Sequence, residues 1–481
     1  MTQTMEKMRS LCLLLAIFFT TSVAAHDALL DMIPSRARGG NLWKTKVKEF
    51  EKSSVFTNST VNYYTQIIDH TAGIDAGTFQ QRYYIDTTYC EDLTSCPIFM
   101  YIGGEGTLSA SPGGYTATMA SEHGALILAL EHRWYGESLP GDITSTDDLG
   151  SLTVENALAD LRSFMESQQT DLGSDGLRTW LMIGGSYPGA LSAWFREKNP
   201  DIAAASWSSS GVILAVENFT QFDVIETQAV GADCAQALRD VTAAFENAWD
   251  AGGDTKQDML DMFGTPDDFT KGDMAWMLAD SAAMGPQYGS KIEMCNYLID
   301  PTSEQPKDDL LQAFANWTND HYGTSFGASC YYSTACLSDP TRVSEWYDTK
   351  SWIWQCCHQL EYWQVAYPNS LRSSVLTYDY FTTQCGAAFG SDYPSANIQD
   401  FNTQYEGLTP ESTNVIALNG GDDPWRGCTQ NETKKDSYPE NTAFCDGCGH
   451  CGDLGTTNED SPPELIAQQN LIKQYLAEWI N

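Results

Sequence analysis

Short runs of consecutive apolar residues, each ended by glycine or charged residues, are the strongest pattern in the first half of the chain. They lie at 97–102 (PIFMYI), 125–130 (ALILAL) and 180–183 (WLMI). Because polar residues do not alternate with apolar ones in these runs, the pattern predicts strands buried on both faces. Apolar residues within 153–165 have helical spacing. The sequence therefore predicts an α/β fold around a mostly parallel sheet.

The pattern changes in the middle of the chain. Residues 212–345 lack strong β runs and are rich in helix formers, which predicts a helical cap inserted into the fold. Apolar strand character returns at 414–418 (NVIAL), and Pro462-Pro463 precedes a C-terminal amphipathic helix. We therefore divide the mature chain into a first sheet part at 26–211, the cap at 212–345 and a second sheet part at 346–481.

The N-terminus has the features of a signal peptide at residues 1–25. Lys7 and Arg9 precede the apolar run LCLLLAIFF, and small residues at Val23-Ala24-Ala25 place the mature start near His26. An uncleaved membrane anchor is the alternative, although the run is short for a bilayer span. We expect a protein of the secretory pathway, in the extracellular space or in a lysosomal or vacuolar lumen.

The charge of the chain excludes several partners. Lys and Arg number 26 against 64 Asp and Glu, which gives a formal net charge of −38. Phosphate backbones and anionic lipids bind cationic surfaces, so we expect no nucleic acid and no membrane as partners.

Cysteines and sequons agree with secretion. An oxidising compartment favours disulfides, and the odd number of cysteines after Cys12 leaves at least one thiol unpaired. Cys90 and Cys96 are close enough to bridge a loop. The alternative for the later cysteines is a zinc cluster within 428–451, because its Cys and His spacing resembles that of zinc ligands. Glycosylation sequons begin at Asn58, Asn218, Asn316 and Asn431.

The segment WLMIGGSYPGALSAW, from Trp180, carries the clearest chemical signal. An apolar strand runs into Gly-Gly-Ser and a helix follows, which is the context of a nucleophile elbow with Ser186 at its tip. Pro188 occupies the position of the usual second glycine, and the backbone N–H of Tyr187 can serve as an oxyanion donor. The alternative is an ordinary Gly-Ser turn before a helix.

Chain order then selects an acid and a base. In α/β hydrolases the order is Ser, acid, His, and His450 is the histidine in the last loop before the final helix. The acid should follow a late strand, and NGGDDPW follows the apolar run at 414–418. We favour Asp423, with Asp422 as the second candidate; either one can also be a simple turn former.

Several blocks in order resemble one known family of serine peptidases. They are PIFMYIGGEGTL from Pro97, EHRWYGESLP from Glu131, GGSYPGALSAWFREKNP from Gly184, WIWQCCHQLEYWQ from Trp352, NGGDDPW from Asn419 and GHCGDL from Gly449. The family is that of lysosomal Pro-X carboxypeptidase, dipeptidyl peptidase II and thymus-specific serine protease, and the first three blocks look most similar to the thymus-specific member.

The resemblance implies an α/β-hydrolase fold with a helical cap and assigns roles by motif. It matches Ser186 to the nucleophile, Asp423 to the acid and His450 to the base. Trp425 matches a tryptophan of the substrate pocket, and the GGEG block supplies a second oxyanion N–H, at Gly104 or Glu105.

The resemblance also implies peptide substrates, no cofactor and no metal. We expect a serine exopeptidase that forms an acyl-enzyme, with a preference for proline-containing peptides. The sequence departs from the family pattern at Pro188, Gln359 and Ala190. It also has no clear match to the acidic motif with which the dipeptidyl peptidase binds a free amino terminus. Carboxypeptidase and dipeptidyl-peptidase activity therefore both stay open. A homodimer is also left open. The competing hypothesis is a non-catalytic binding protein of the same fold.

Overall fold

The computed structural model describes residues 59–173, 178–303, 305–344 and 346–480. The predicted signal peptide at 1–25, the mature start near His26 and the sequon at Asn58 lie outside the described residues. In the part of the chain that the structure describes, no helix is both long enough and apolar enough to span a membrane.

Eight strands in the described ranges form one sheet in the order β1-β2-β4-β3-β5-β6-β7-β8. They are β1 (Thr60–Ile67), β2 (Thr78–Asp86), β3 (Ile98–Ile102), β4 (Leu126–Leu130), β5 (Trp180–Gly185), β6 (Ala203–Ser209), β7 (Val415–Gly420) and β8 (Glu440–Ala443). β1 and β2 are antiparallel to each other, and β2 is antiparallel to β4; from β4 to β8 all neighbours are parallel. The predicted α/β class with a mostly parallel sheet is confirmed.

The helices of the sheet region connect parallel strands or cover the sheet. They are α1 (Gly114–His123), α2 (Thr146–Leu149), α3 (Val154–Asp171), α4 (Tyr187–Lys198) and, at the C-terminus, α16 (Pro463–Trp479). α1 and α16 pack on one face, where Ile472 and Leu476 are buried with Ile127 and Leu181 of the central strands. The larger hydrophobic core lies on the other face and includes α3, α4 and the helices of the insertion.

The insertion lies between β6 and β7. Its helices are α5 (Thr220–Val230), α6 (Ala232–Ala251), α7 (Gly253–Phe263), α8 (Lys271–Gln287), α9 (Lys291–Leu298), α10 (Leu310–Tyr322), α11 (Thr334–Leu337), α12 (Pro340–Val343), α13 (Tyr347–Gln355), α14 (Tyr378–Phe389) and α15 (Ile398–Gln404). A π-helical turn, Cys356–Leu360, extends α13. The helices continue past residue 345 as far as α15, while the domain boundaries at 211 and 345 stay a prediction.

Five disulfides are present among the described residues. Cys90–Cys96 is the bridge expected from the sequence. The others are Cys234–Cys295, Cys330–Cys336, Cys357–Cys385 and Cys445–Cys448. Cys356, Cys428 and Cys451 are unbridged in this part of the chain. Several disulfides fit a protein of the secretory pathway.

Candidate active site

Ser186 stands at the sharp turn between β5 and α4. Its φ of +66° lies in the left-handed region, where a side chain other than that of glycine is strained. Its backbone N–H donates to Ser209 O at 2.9 Å, which ties the turn to the end of the neighbouring strand β6. This is the geometry that projects a serine hydroxyl from the carboxyl edge of a parallel sheet.

Two glycines allow the turn to be this tight. A Cβ on Gly184 would lie 2.1 Å from Pro188 O, and one on Gly185 would lie 2.9 Å from Cys451 Sγ. The backbone at Pro188 cannot move away without opening the turn, so position 184 does not tolerate a side chain. At position 185 a side chain would have to displace the side chains of Cys451 and Leu454. Pro188 fits in the first turn of α4, where its missing N–H has no helical partner to lose.

His450 and Asp423 form a buried pair. His450 Nδ1 lies 2.6 Å from Asp423 Oδ2, and both side chains are almost fully inaccessible to solvent. Asp423 Oδ1 also accepts the N–H of Trp425 at 3.0 Å, which fixes the carboxylate as the cap of a 3₁₀ turn, Pro424–Cys428. The Nδ1 contact leaves Nε2 as the ring nitrogen that faces away from the acid.

Asp422 points elsewhere. Its Oδ1 accepts from Lys291 Nζ at 2.9 Å, and its Oδ2 accepts from Gly447 N at 2.9 Å. Lys291 also pairs with Asp446. Of the two adjacent acids predicted from the sequence, only Asp423 therefore contacts the histidine.

The serine turn and the histidine loop are in contact. Cys451, which follows His450, donates its N–H to Ser210 Oγ at 3.0 Å just beyond β6. Its sulfur packs against Gly185, the residue before Ser186. The structure therefore brings Ser186, Asp423 and His450 to one edge of the sheet, at the carboxyl ends of β5, β6 and β7.

The pKa of His450 is raised well above its ordinary value of 6.5. Burial alone would lower it, because burial disfavours the imidazolium. The negative charge of Asp423 and the neighbouring Cys451 outweigh that effect. The site thus stabilises a protonated ring, the form that a serine hydrolase generates when the base takes the nucleophile's proton.

The two segments that carry the predicted oxyanion donors pack against each other. Tyr187 is the first residue of α4, so its N–H has no acceptor within the helix. A Cβ on Gly104 would lie 2.8 Å from Pro188 Cγ, so the loop after β3 packs on the same helix start. Glu105 is buried in this loop, and burial raises the pKa of its carboxyl to about 7.

A polar network holds the ring of Tyr187. Its hydroxyl accepts from Gln355 Nε2 at 2.8 Å and lies 3.1 Å from His132 Nε2. Burial lowers the pKa of His132 to about 4, so this ring is neutral near pH 7. Glu131 accepts the N–H of Leu108 at 2.9 Å and thereby fixes the end of the oxyanion loop. Residues of the EHRWYGESLP block therefore hold the Tyr187 ring and the loop after β3 in place.

Trp425 belongs to an aromatic cluster beside Asp423. Its ring centroid lies 5.8, 5.2 and 5.6 Å from those of Phe219, Phe222 and Tyr362. It also lines a cavity together with Tyr288, whose ring centroid lies 6.5 Å from that of His450.

Sequence reasoning did not find Gln355, Tyr288 or Cys451 as parts of the site. Tyr288 follows helix α8 and is far from the motifs in sequence, so only tertiary packing brings it to the site. Cys451 lies beside His450 within the GHCGDL block, but its contact with the serine turn also depends on tertiary packing. Gln355 had a partial signal, since it lies within the WIWQCCHQLEYWQ block.

The zinc alternative meets a direct obstacle. Cys445 and Cys448, the central pair of its ligand spacing, are bonded to each other. Nδ1 of His450 already forms a hydrogen bond with Asp423. Both observations favour the disulfide interpretation of residues 428–451.

The predicted glycosylation sites that the structure describes are accessible. Asn218, Asn316 and Asn431 are all exposed. Attachment of glycans to them stays a prediction.

The sheet order and the serine turn define this protein as an α/β hydrolase. A family model described as serine carboxypeptidase S28 matches residues 66–472. The chain therefore belongs to the serine carboxypeptidase S28 family and is a serine-type peptidase, which confirms the resemblance drawn from its motifs.

Relatives cover nearly the whole chain. An Arabidopsis thaliana protein described as a probable serine protease, EDA2, is 30% identical over 89% of this chain and 90% of its own. Thymus-specific serine protease of Mus musculus is 26% identical over 86% of each chain. A protein of Arthroderma benhamiae described as a probable extracellular serine carboxypeptidase is 25% identical over 84% of this chain and 64% of its own.

Proposed function

We propose that this protein is a serine exopeptidase whose triad is Ser186, Asp423 and His450. The observation that carries the proposal is the strained serine turn beside a buried His450–Asp423 pair, 2.6 Å between Nδ1 and Oδ2. Family membership supplies the reaction class, hydrolysis of a peptide bond. The competing hypothesis of a non-catalytic binding protein does not explain why a strained serine and a buried acid–base pair lie at the same edge of the sheet.

The reaction follows from these positions. Ser186 Oγ attacks the scissile carbonyl carbon while His450 Nε2 takes the hydroxyl proton. The N–H groups of Tyr187 and Gly104 stabilise the oxyanion. Collapse of the tetrahedral intermediate breaks the C–N bond, and His450 delivers the proton to the leaving amine. Water then attacks the acyl-enzyme by the same route and releases the acid and free Ser186.

Two features support action on a chain end that contains proline. The cavity beside the triad has a volume of about 50 Å³, which is room for roughly four water molecules. Helix α8 of the insertion closes one side of it, so a long folded chain has little access. Trp425 and its aromatic neighbours offer the flat apolar wall that a pyrrolidine ring packs against.

We further propose an extracellular or lysosomal place of action, on peptide substrates and without a cofactor. The disulfides and the net charge of −38 support it, because carboxylates become protonated and repel less in an acidic lumen. Recovery of the glycosylated protein from medium rather than from lysosomes would decide between the two.

The first test is Ser186→Ala. We expect kcat to fall on the order of 10⁴–10⁶-fold with an unchanged fold, because the covalent step is lost. Ser121→Ala, on the exposed surface of α1, is the matched control and should keep full activity. Retained activity in Ser186→Ala, or failure of a fluorophosphonate probe to label Ser186 in the folded protein, would refute the triad.

Digestion of a peptide library with free and blocked termini, followed by mass spectrometry, tests the chain end. Products shortened by one C-terminal residue indicate a carboxypeptidase, and release of N-terminal dipeptides indicates the other polarity. Efficient cleavage inside long folded proteins would contradict exopeptidase action.

A further inference from the structure

One face of helix α8 forms part of the wall of the cavity beside the triad. Asp280, Ala283, Met284 and Gln287 line it. Residues three, four and seven apart lie on one helical face, so these four side chains form a stripe along the cavity. The stripe is anchored at the catalytic end, since Gln287 O accepts the backbone N–H of His450 at 2.7 Å.

Asp280 stands at the far end of this stripe. Seven residues separate it from Gln287, which corresponds to about 10 Å along the helix axis. Two residues of an extended peptide span about 7 Å, and a lysine side chain has a similar reach. A positive group two residues from the scissile bond, or at the tip of a long side chain, can therefore reach Asp280.

The cavity wall has a negative charge without a matching cation. Among the described residues that line it, Asp280 is the only one with a formal charge; the others are apolar, aromatic or amide and hydroxyl groups. A half-buried carboxylate of this kind is costly unless a positive partner or a proton joins it.

The cation behind the cavity is committed to other partners. Arg372 Nε donates to Asp223 Oδ1 at 3.0 Å, and Arg372 Nη1 donates to Gln364 O at 2.9 Å. Its Nη2 lies 3.7 Å from Glu226 Oε2. One guanidinium thus contacts two acids, and within the described ranges no ion pair joins it to Asp280.

We propose that Asp280 is a specificity-determining residue that binds a positively charged group of the peptide substrate in this cavity. The group is either the α-ammonium of the substrate's N-terminus or the side chain of a lysine or arginine. This assignment rests on the proposed function, because it places a peptide at the triad. It deepens that function by naming the charge of the preferred substrate.

The preference depends on pH. Burial raises the pKa of Asp280 to about 6, although Arg372 and the hydroxyl of Tyr332 act in the opposite direction. Glu226 and Asp223 of α5 face the same guanidinium, and burial raises the pKa of Glu226 well above its ordinary value. The carboxylate of Asp280 is therefore present above about pH 6 and lost below it, so selectivity for a cation should grow as pH rises through 6.

Two pairs of fluorogenic substrates test the proposal. The first pair is a dipeptide amide with proline beside the scissile bond, with a free or an acetylated N-terminus. Both members of the second pair are N-acetylated, and they differ in one side chain, which is the charged lysine in one and the neutral norleucine of similar shape in the other. We expect wild type to prefer the charged member of one pair in kcat/KM on the order of 10²-fold, the scale of a desolvated ion pair. The pair that responds identifies the source of the positive group.

Variants separate charge from structure. Asp280→Asn should abolish the preference while keeping activity on the neutral member, and Asp280→Glu should restore part of it. Asp320→Asn removes an exposed charge from α10 of the same insertion and should leave the preference unchanged.

Labelling of Ser186 by a fluorophosphonate probe reports the folded site in every variant. A wild type that labels but shows no preference in either pair, or a preference that Asp280→Asn retains, overturns the role of Asp280. If the folded wild type does not label, the proposed function fails first, and the assignment of Asp280 falls with it. The two failures are therefore distinguishable.

Discussion

Replacement of Asp423 by asparagine tests the His450–Asp423 pair with little change of shape. The amide oxygen can still accept the N–H of Trp425, now 3.0 Å from Oδ1, so the 3₁₀ turn should survive. The negative charge beside Nδ1 is lost. The amide can also rotate its NH₂ toward Nδ1, which would favour the tautomer whose Nε2 carries a proton and cannot accept one.

The structure sets the size of the effect. With a contact of 2.6 Å between Nδ1 and Oδ2, the centres of charge of carboxylate and imidazolium lie about 4 Å apart. At an effective dielectric constant of about 20 their attraction is roughly 4 kcal/mol. Because about 1.4 kcal/mol is a factor of ten in rate, kcat should fall about 10³-fold. KM should change little, since neither atom touches the substrate in the ground state.

The assay is steady-state hydrolysis of a fluorogenic peptide, with Asp422→Asn as the matched control. Asp422 is buried and pairs with Lys291 rather than with the ring, and Lys291 keeps Asp446 as a partner in the variant, so neutralisation of Asp422 should lower kcat by less than about tenfold. A loss below tenfold in folded Asp423→Asn, or a larger loss in Asp422→Asn than in Asp423→Asn, would refute the assignment of the acid.

Two further predictions concern pH and thiols. Because the pKa of His450 is raised well above 6.5 and the neutral ring is the active base, kcat/KM should fall as pH falls through that raised value, and a profile flat from pH 8 to pH 5 would contradict this. N-ethylmaleimide should inactivate the enzyme through the half-buried Cys451, because an adduct on its sulfur would displace Gly185 from the serine turn. The Cys451→Ser variant should be active and resistant to N-ethylmaleimide. The other two free thiols, Cys356 and Cys428, are buried, and burial raises the pKa of both, so they should react slowly. Inactivation of Cys451→Ser at the wild-type rate would refute the assignment.

Four of the central strands could be predicted because they are buried on both faces, whereas β6 (AAASWSS) has no continuous apolar run and was not predicted. β3, β4, β5 and β7 are unbroken apolar runs, and helices on both sides of the sheet require that pattern. The edge strands were not predicted: β1 has mixed exposure along its length, and β8 has four residues with a single buried side chain. Their residues are specified by their neighbours in the sheet rather than by local hydrophobicity.

The proposed catalytic residues could be identified from the sequence for a topological reason. Loops that follow parallel strands meet at one edge of the sheet, so Ser186 after β5 and Asp423 after β7 had to come close. Asp280 and Tyr288 had no such signal, since their place depends on how α8 packs over that edge. A single helix carries no local mark of which face will meet an active site.

The position of α8 links catalysis to substrate choice. Gln287 O holds the backbone of His450, and a Cβ on Gly449 would lie 2.2 Å from the same oxygen, so helix and histidine loop pack without room for a side chain. The same helix presents Asp280 to the cavity two turns earlier. A shift of α8 that repositions Asp280 must therefore also move the support of the base. A different substrate preference at the Asp280 end of the cavity therefore requires substitution of side chains along the stripe. Such a substitution leaves α8, and with it His450, in place.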